Sequence, residues 1–231
     1  MHIVTARRPV MCLCVIAAAA CSAATRQSGA APSGAPLTPA QMADEHASPF
    51  TPADVAFMQG MIHHHAQAVT MAAWAPTHGA SSAVQTLAGR ISVAQRDEIA
   101  FMQRWLRDRH QPAPDPLAHG ASDMTDMSGM SGMPGMSGDT LMPGMLTPEQ
   151  MKQLDAARGA EFDRLFLTFM IQHHTGAIEM VQHLLAVPGA AQDQDAFRFV
   201  SDVNADQSVE IDRMRKMLAA YDASSHQGTR P

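Results

Sequence analysis

Two stretches of this chain are copies of one another, and each places a pair of histidines where a helix should be apolar. Leu37-Thr38-Pro39-Ala40-Gln41-Met42 recurs as Leu146-Thr147-Pro148-Glu149-Gln150-Met151. At the same offset Asp54, Phe57, Met61, Ile62, His64, His65, Ala68 and Met71 return as Asp163, Phe166, Met170, Ile171, His173, His174, Ala177 and Met180. A second block, Gln95, Glu98, Ile99, Met102 and Leu106, returns as Gln207, Glu210, Ile211, Met214 and Leu218, its offset larger by three residues. The repeated unit is about 70 residues, too long for a solenoid, so the copies are expected to pack on each other.

Helix punctuation is written into both copies. Thr38 and Thr147 stand as N-caps before Pro39 and Pro148, with Gln41 and Gln150 three residues on as a capping box requires. Thr51-Pro52 opens a long helix to about Ala75, halted by Pro76 and Gly79. Its counterpart runs from about Glu161 to Val187, halted by Pro188-Gly189. A second long helix per copy spans about 81–110 and 191–221. No segment alternates like a strand. The expectation is an all-α four-helix bundle of two duplicated hairpins joined by a long connection.

The organisation reads as a leader over 1–21, a flexible Ala/Ser/Gly/Pro tether over 22–36, helical repeats over 37–110 and 146–222, a Met/Gly-rich connection over 111–145 and a disordered tail over 223–231. Arg7 and Arg8, a short apolar run and Ala18-Ala19-Ala20 before Cys21 resemble a bacterial lipoprotein signal, with Cys21 as the lipidated residue. Such signals usually carry Leu where Ala18 stands, and secretion after plain cleavage is the alternative. The protein is therefore expected to be exported, to the periplasm or the outer membrane, touching membrane only through a lipid anchor. Cys12 and Cys14 leave with the leader, so soft-metal chemistry must use methionine and histidine. With 22 acidic against 16 basic residues, nothing points to nucleic acid.

Steps of three and four trace a helix face. Phe57, Met61, His64, Ala68 and Met71 form one stripe, and Met58, Ile62, His65, Val69 and Ala72 the next. The second copy matches them, so both histidines of each pair face inward. His63 falls on the far side with Gln59, Gln67 and Thr70. On the partner helices, Gln95 and Glu98, and likewise Gln207 and Glu210, interrupt apolar stripes. A buried carboxylate needs a partner, so these residues are expected against the histidines, orienting them for a metal from the second coordination sphere or binding it directly. A purely structural polar network is the plainer alternative, and Met61, Met71, Met170 and Met180 could be packing atoms alone.

The connection adds Met124, Met127, Met130, Met133, Met136, Met142 and Met145, most separated by Ser-Gly or Pro-Gly. Glycine and proline exclude a stable helix, so this spacing is no core stripe. Thioethers select soft ions such as Cu(I), and His119 and Asp123 nearby suit Cu(II).

The pattern Phe-x3-Met-Ile-x-His-His-x2-Ala-(Val/Ile)-x-Met, at Phe57–Met71 and Phe166–Met180, with Gln-x2-Glu-Ile-x2-Met behind it, resembles the DUF305 family of bacterial secreted proteins over about residues 37–222. The resemblance implies a ferritin-like four-helix bundle, and some members are periplasmic copper-binding proteins of copper resistance. His64, His65, His173 and His174 are the motif positions, with Met61, Met71, Met170 and Met180 beside them.

Three functions are open. The first is a copper-binding protein that sequesters the metal or hands it to transport or resistance proteins, through the histidine pairs and Met124, Met127, Met130, Met133 and Met136. The second is a metal-dependent redox enzyme. Di-iron bundles need Glu-x2-His, whereas Glu98 and Glu210 are followed at that distance by Phe101 and Arg213. The third is a structural or binding module without metal.

Overall fold

The computed structural model describes residues 50–116 and 141–227. The leader with Cys21, the tether, the first Thr38-Pro39 cap and Met124, Met127, Met130, Met133 and Met136 lie outside the described residues. Among those described, every regular element is helical: α1 (Pro52–Trp74), α2 (Ser82–Asp108), α3 (Pro148–Ala156), α4 (Gly159–Leu185) and α5 (Gln194–Gln227). None of them is long and apolar enough to cross a membrane.

The starts follow local chemistry. Thr51 accepts from the Asp54 amide while the Asp54 carboxylate accepts from the Thr51 amide, and Thr147 and Gln150 repeat this box before α3. Ser81 caps α2. The last helix continues to Gln227, beyond the expected end of the second repeat and into the segment read from sequence as a tail.

Helices α1 and α2 pack as one hairpin and α4 and α5 as another, with α1 against α4 between them and α3 touching both. Each hairpin is tied to the other by a buried aspartate. Asp54 accepts from the Ala191 amide at 2.7 Å, and Asp163 accepts from the Ser81 amide at 3.2 Å and from the Tyr221 hydroxyl. Ala191 has φ +53°, a left-handed conformation that costs a residue with a Cβ, so the Asp54 bond holds a strained turn in place. Asp193 receives the Trp105 indole N–H at 3.0 Å and the Arg109 guanidinium at 2.6 Å.

The apolar interior divides into two clusters. One gathers Phe57, Met61, Ile62, Met102, Trp105 and Met180. It also takes in Met142 and Met145, the last two methionines of the connection, which are therefore core residues. The other gathers Met71, Ile91, Phe162, Phe166, Met170 and Met214. Gln67 corrects the far-side reading of its stripe: it is buried, and its amide holds both backbone groups of Leu146, at 3.1 and 2.8 Å.

Candidate metal centre

His64 and His65 lie on α1 and His173 and His174 on α4, all with no solvent exposure. Where α1 meets α4, the His64 and His173 rings stand with centroids 3.8 Å apart, tilted by 40°. His65 and His174 turn outward from that contact to the partner helices. His65 Nε2 lies 2.6 Å from Glu98 on α2, and His174 Nε2 lies 2.7 Å from Glu210 on α5. The expected carboxylate partners are thus present, and they choose the second histidine of each pair. Glu98 and Glu210 keep 19% and 23% of their side chains exposed, so each links a dry imidazole to solvent.

The central pair is electrostatically distinct. Burial, reinforced by the neighbouring His65 ring, pushes His64 down to about 3. Burial and then the His64 ring push His173 well below the usual histidine value. Both rings are neutral at neutral pH, the form that binds metal. His64 Nε2 lies 3.0 Å from the Pro143 carbonyl and His64 Nδ1 has no hydrogen-bond partner, while the His173 ring faces the His64 backbone carbonyl outside good hydrogen-bond geometry. Buried polar atoms are rarely left so, and each orphan costs about 1–3 kcal/mol. The amide groups of Gln95 and Gln207, buried one turn before the glutamates, are also incompletely satisfied.

Among the described residues no three His, Cys, Asp or Glu side chains converge to hold an ion. The donors on offer are neutral imidazoles with thioethers of the flanking clusters. Met61 and Met180 lie in one cluster and Met71 and Met170 in the other, all four with no exposure. The expected site methionines therefore divide between the clusters. The orphaned nitrogens suit a soft, low-coordinate ion better than a hard one that demands carboxylates.

Two features escaped the sequence reading. A short strap, residues 141–147, crosses the histidine contact and buries Met142 and Met145 beside it. The second is an acidic groove of about 320 Å³ bordered by Asp97, Glu98, Phe101, Phe199, Asp202 and Asp206. Burial, then Glu98, Asp202 and Glu210, raise the Asp206 pKa, which shows how negative charge crowds beside the two glutamates.

No curated protein matches this chain. Among solved structures it is similar to a DUF305 protein of Streptomyces coelicolor described as secreted, at 27% identity and TM-score 0.59, covering 74% of this chain and 94% of that one. A DUF305 fragment from Deinococcus radiodurans follows at 26% identity and TM-score 0.57, covering 75% and 99%. CopM in its Cu(II)-bound form matches at 25% identity and TM-score 0.52, covering 73% and 97%. Its Cu(I)-bound form, at 24% identity and the same TM-score over 73% and 96%, attests the shared fold. The family profile "Domain of unknown function (DUF305)" spans residues 54–218, and the chain belongs to that family.

Proposed function

We propose that this is an exported copper-binding protein that sequesters copper or hands it on. The observation that carries the reading is the contact of His64 with His173, two fully buried neutral imidazoles whose ring nitrogens are left largely without hydrogen-bond partners. A structural network would use those nitrogens; a metal centre needs them open. The likeness to CopM, solved with Cu(II), supports copper over other ions. His64 and His173 would hold the ion, with His65 and His174 oriented by Glu98 and Glu210 and with Met61, Met71, Met170 and Met180 as nearby soft donors. Gln95 and Gln207 would support that outer shell.

Met124, Met127, Met130, Met133 and Met136 would capture Cu(I) ahead of the core, since thioethers select the cuprous ion. The acidic groove beside Glu98 would raise the local cation concentration. The bundle carrying this centre would be four long helices from two duplicated hairpins, a reading that the twin His–Glu pairs support. Lipidation of Cys21 would fasten the protein to the envelope, where copper transport or resistance proteins could receive the metal.

Anaerobic competition of the purified protein against a colorimetric Cu(I) chelator tests the reading. Retention of at least one more equivalent by wild type than by a His64→Ala/His173→Ala variant is the expected result. Equal retention by the variant would refute the core site.

A further inference from the structure

A carbonyl or carboxylate oxygen can only accept a hydrogen bond, so the imidazole nitrogen facing it carries the proton. Two of the four histidines hydrogen-bond such an oxygen through the same nitrogen. His64 Nε2 meets the Pro143 carbonyl at 3.0 Å and His174 Nε2 meets Glu210 at 2.7 Å, while His65 Nε2 lies 2.6 Å from Glu98 outside hydrogen-bond geometry. Where Nε2 holds the ring's one proton, Nδ1 is a bare lone pair, and Nδ1 of His64 and of His174 is buried without a partner. We infer that Nδ1 is the ligand atom of these histidines, and that the strap crossing the centre is a positioning element that presets His64 in the Nε2–H form. The ligand half of this inference rests on the copper reading above.

The strap is built to stay where it is. Gly144 takes φ +75°, and a Cβ there would lie 2.6 Å from the Gln172 carbonyl and 2.7 Å from Gly176 Cα. A Cβ on Gly176 would lie 2.0 Å from the Pro143 oxygen, the very atom that meets His64. Only two glycines let the strap backbone lie against α4 at this height. Gln67 then grips Leu146 with both ends of its amide, while the Gln172 amide donates to the Gly144 carbonyl at 3.3 Å.

The two copies have diverged at these positions. Gly176 stands where the first copy has Gln67, and Gln172 where it has His63. The strap lies across α1 and α4 at that seam and gives a carbonyl to His64 alone. His173, its counterpart, faces the His64 backbone carbonyl instead of the strap, outside good hydrogen-bond geometry. The strap therefore presets one central ligand and not the other.

Long-range 1H–15N correlation spectra of histidine-labelled, metal-free full-length protein read the tautomer of each ring. His64 and His174 should both be Nε2–H. Gly176→Ala, which displaces Pro143, and Gln67→Ala, which releases Leu146, should each lower the Nε2–H population of His64 at least twofold. His65 and His174 should be unchanged in both variants, with helical circular dichroism retained. On adding Ag(I), a diamagnetic stand-in for Cu(I), the Nδ1 resonances should move. His64 found as Nδ1–H, or unaltered in both variants, would overturn the strap's role; Ag(I) shifts at Nε2 would overturn the ligand assignment. The expected tautomers with no response to Ag(I) would refute the copper reading while upholding the strap's hold on His64.

Discussion

Replacing His64 by glutamine should flatten the acid sensitivity of the metal-free protein. Burial and the adjacent His65 ring take the His64 pKa from 6.5 to about 3 in the folded state, whereas the unfolded chain keeps the ordinary value. As pH falls below 6.5 the unfolded chain gains a proton that the folded protein refuses. Stability from the neutral ring is therefore complete above the unfolded pKa and is lost progressively down to about pH 3. One pKa unit is worth about 1.4 kcal/mol, so at pH 5 this group alone has removed about 2 kcal/mol. That is a large share of the roughly 5–15 kcal/mol that holds a typical domain together. His173 shifts in the same direction, so the double variant His64→Gln/His173→Gln should be flatter still. The other ionisable groups around this contact, His65, His174, Glu98 and Glu210, remain in place in both variants. Urea unfolding at pH 7 and pH 5 gives the quantity needed, the pH difference in stability for wild type minus that for the variant. Equal losses in the two proteins would show that His64 is not held neutral by its surroundings, and the electrostatic account of the centre would fail.

Glu98→Ala and Glu210→Ala should each weaken Cu(I) binding by ~10–100-fold in chelator competition, because each leaves a ligand histidine without its orienting carboxylate. Asp54→Ala removes both a capping box and the bond to the strained Ala191 turn, and chemical denaturation should show a loss of about 2–4 kcal/mol. Changing Met124, Met127, Met130, Met133 and Met136 together to leucine should leave the unfolding midpoint unchanged. The same variant should slow copper uptake from a weak chelator in stopped-flow measurements.

The helix starts were legible because they rest on neighbours in sequence: Thr51-Pro52 with Asp54, and Thr147-Pro148 with Gln150, are complete signals. The inward faces of the histidine pairs were legible because the two matching stretches of sequence share them while neighbouring positions differ. Gln67 was misplaced for a physical reason. Helix α1 is covered by α2 on one side, α4 on another and the strap across a third, so no single polar face remains to mark its outside. Nor could spacing decide between His64 and His65 as the partner of Glu98, since both lie on adjoining stripes and the choice depends on how α2 crosses. Met142 and Met145 carry the same Gly/Pro-flanked pattern as the rest of their tract. Their burial depends on Gly144 and Gly176 meeting across the bundle, a contact that no local pattern announces.

Copper K-edge X-ray absorption on protein lacking residues 117–140 and loaded anaerobically with one equivalent of Cu(I) interrogates the core alone. Imidazole scattering in the first shell, lost on His64→Ala/His173→Ala, is the predicted result. A shell with no nitrogen, or protein that emerges from desalting without copper, would contradict it.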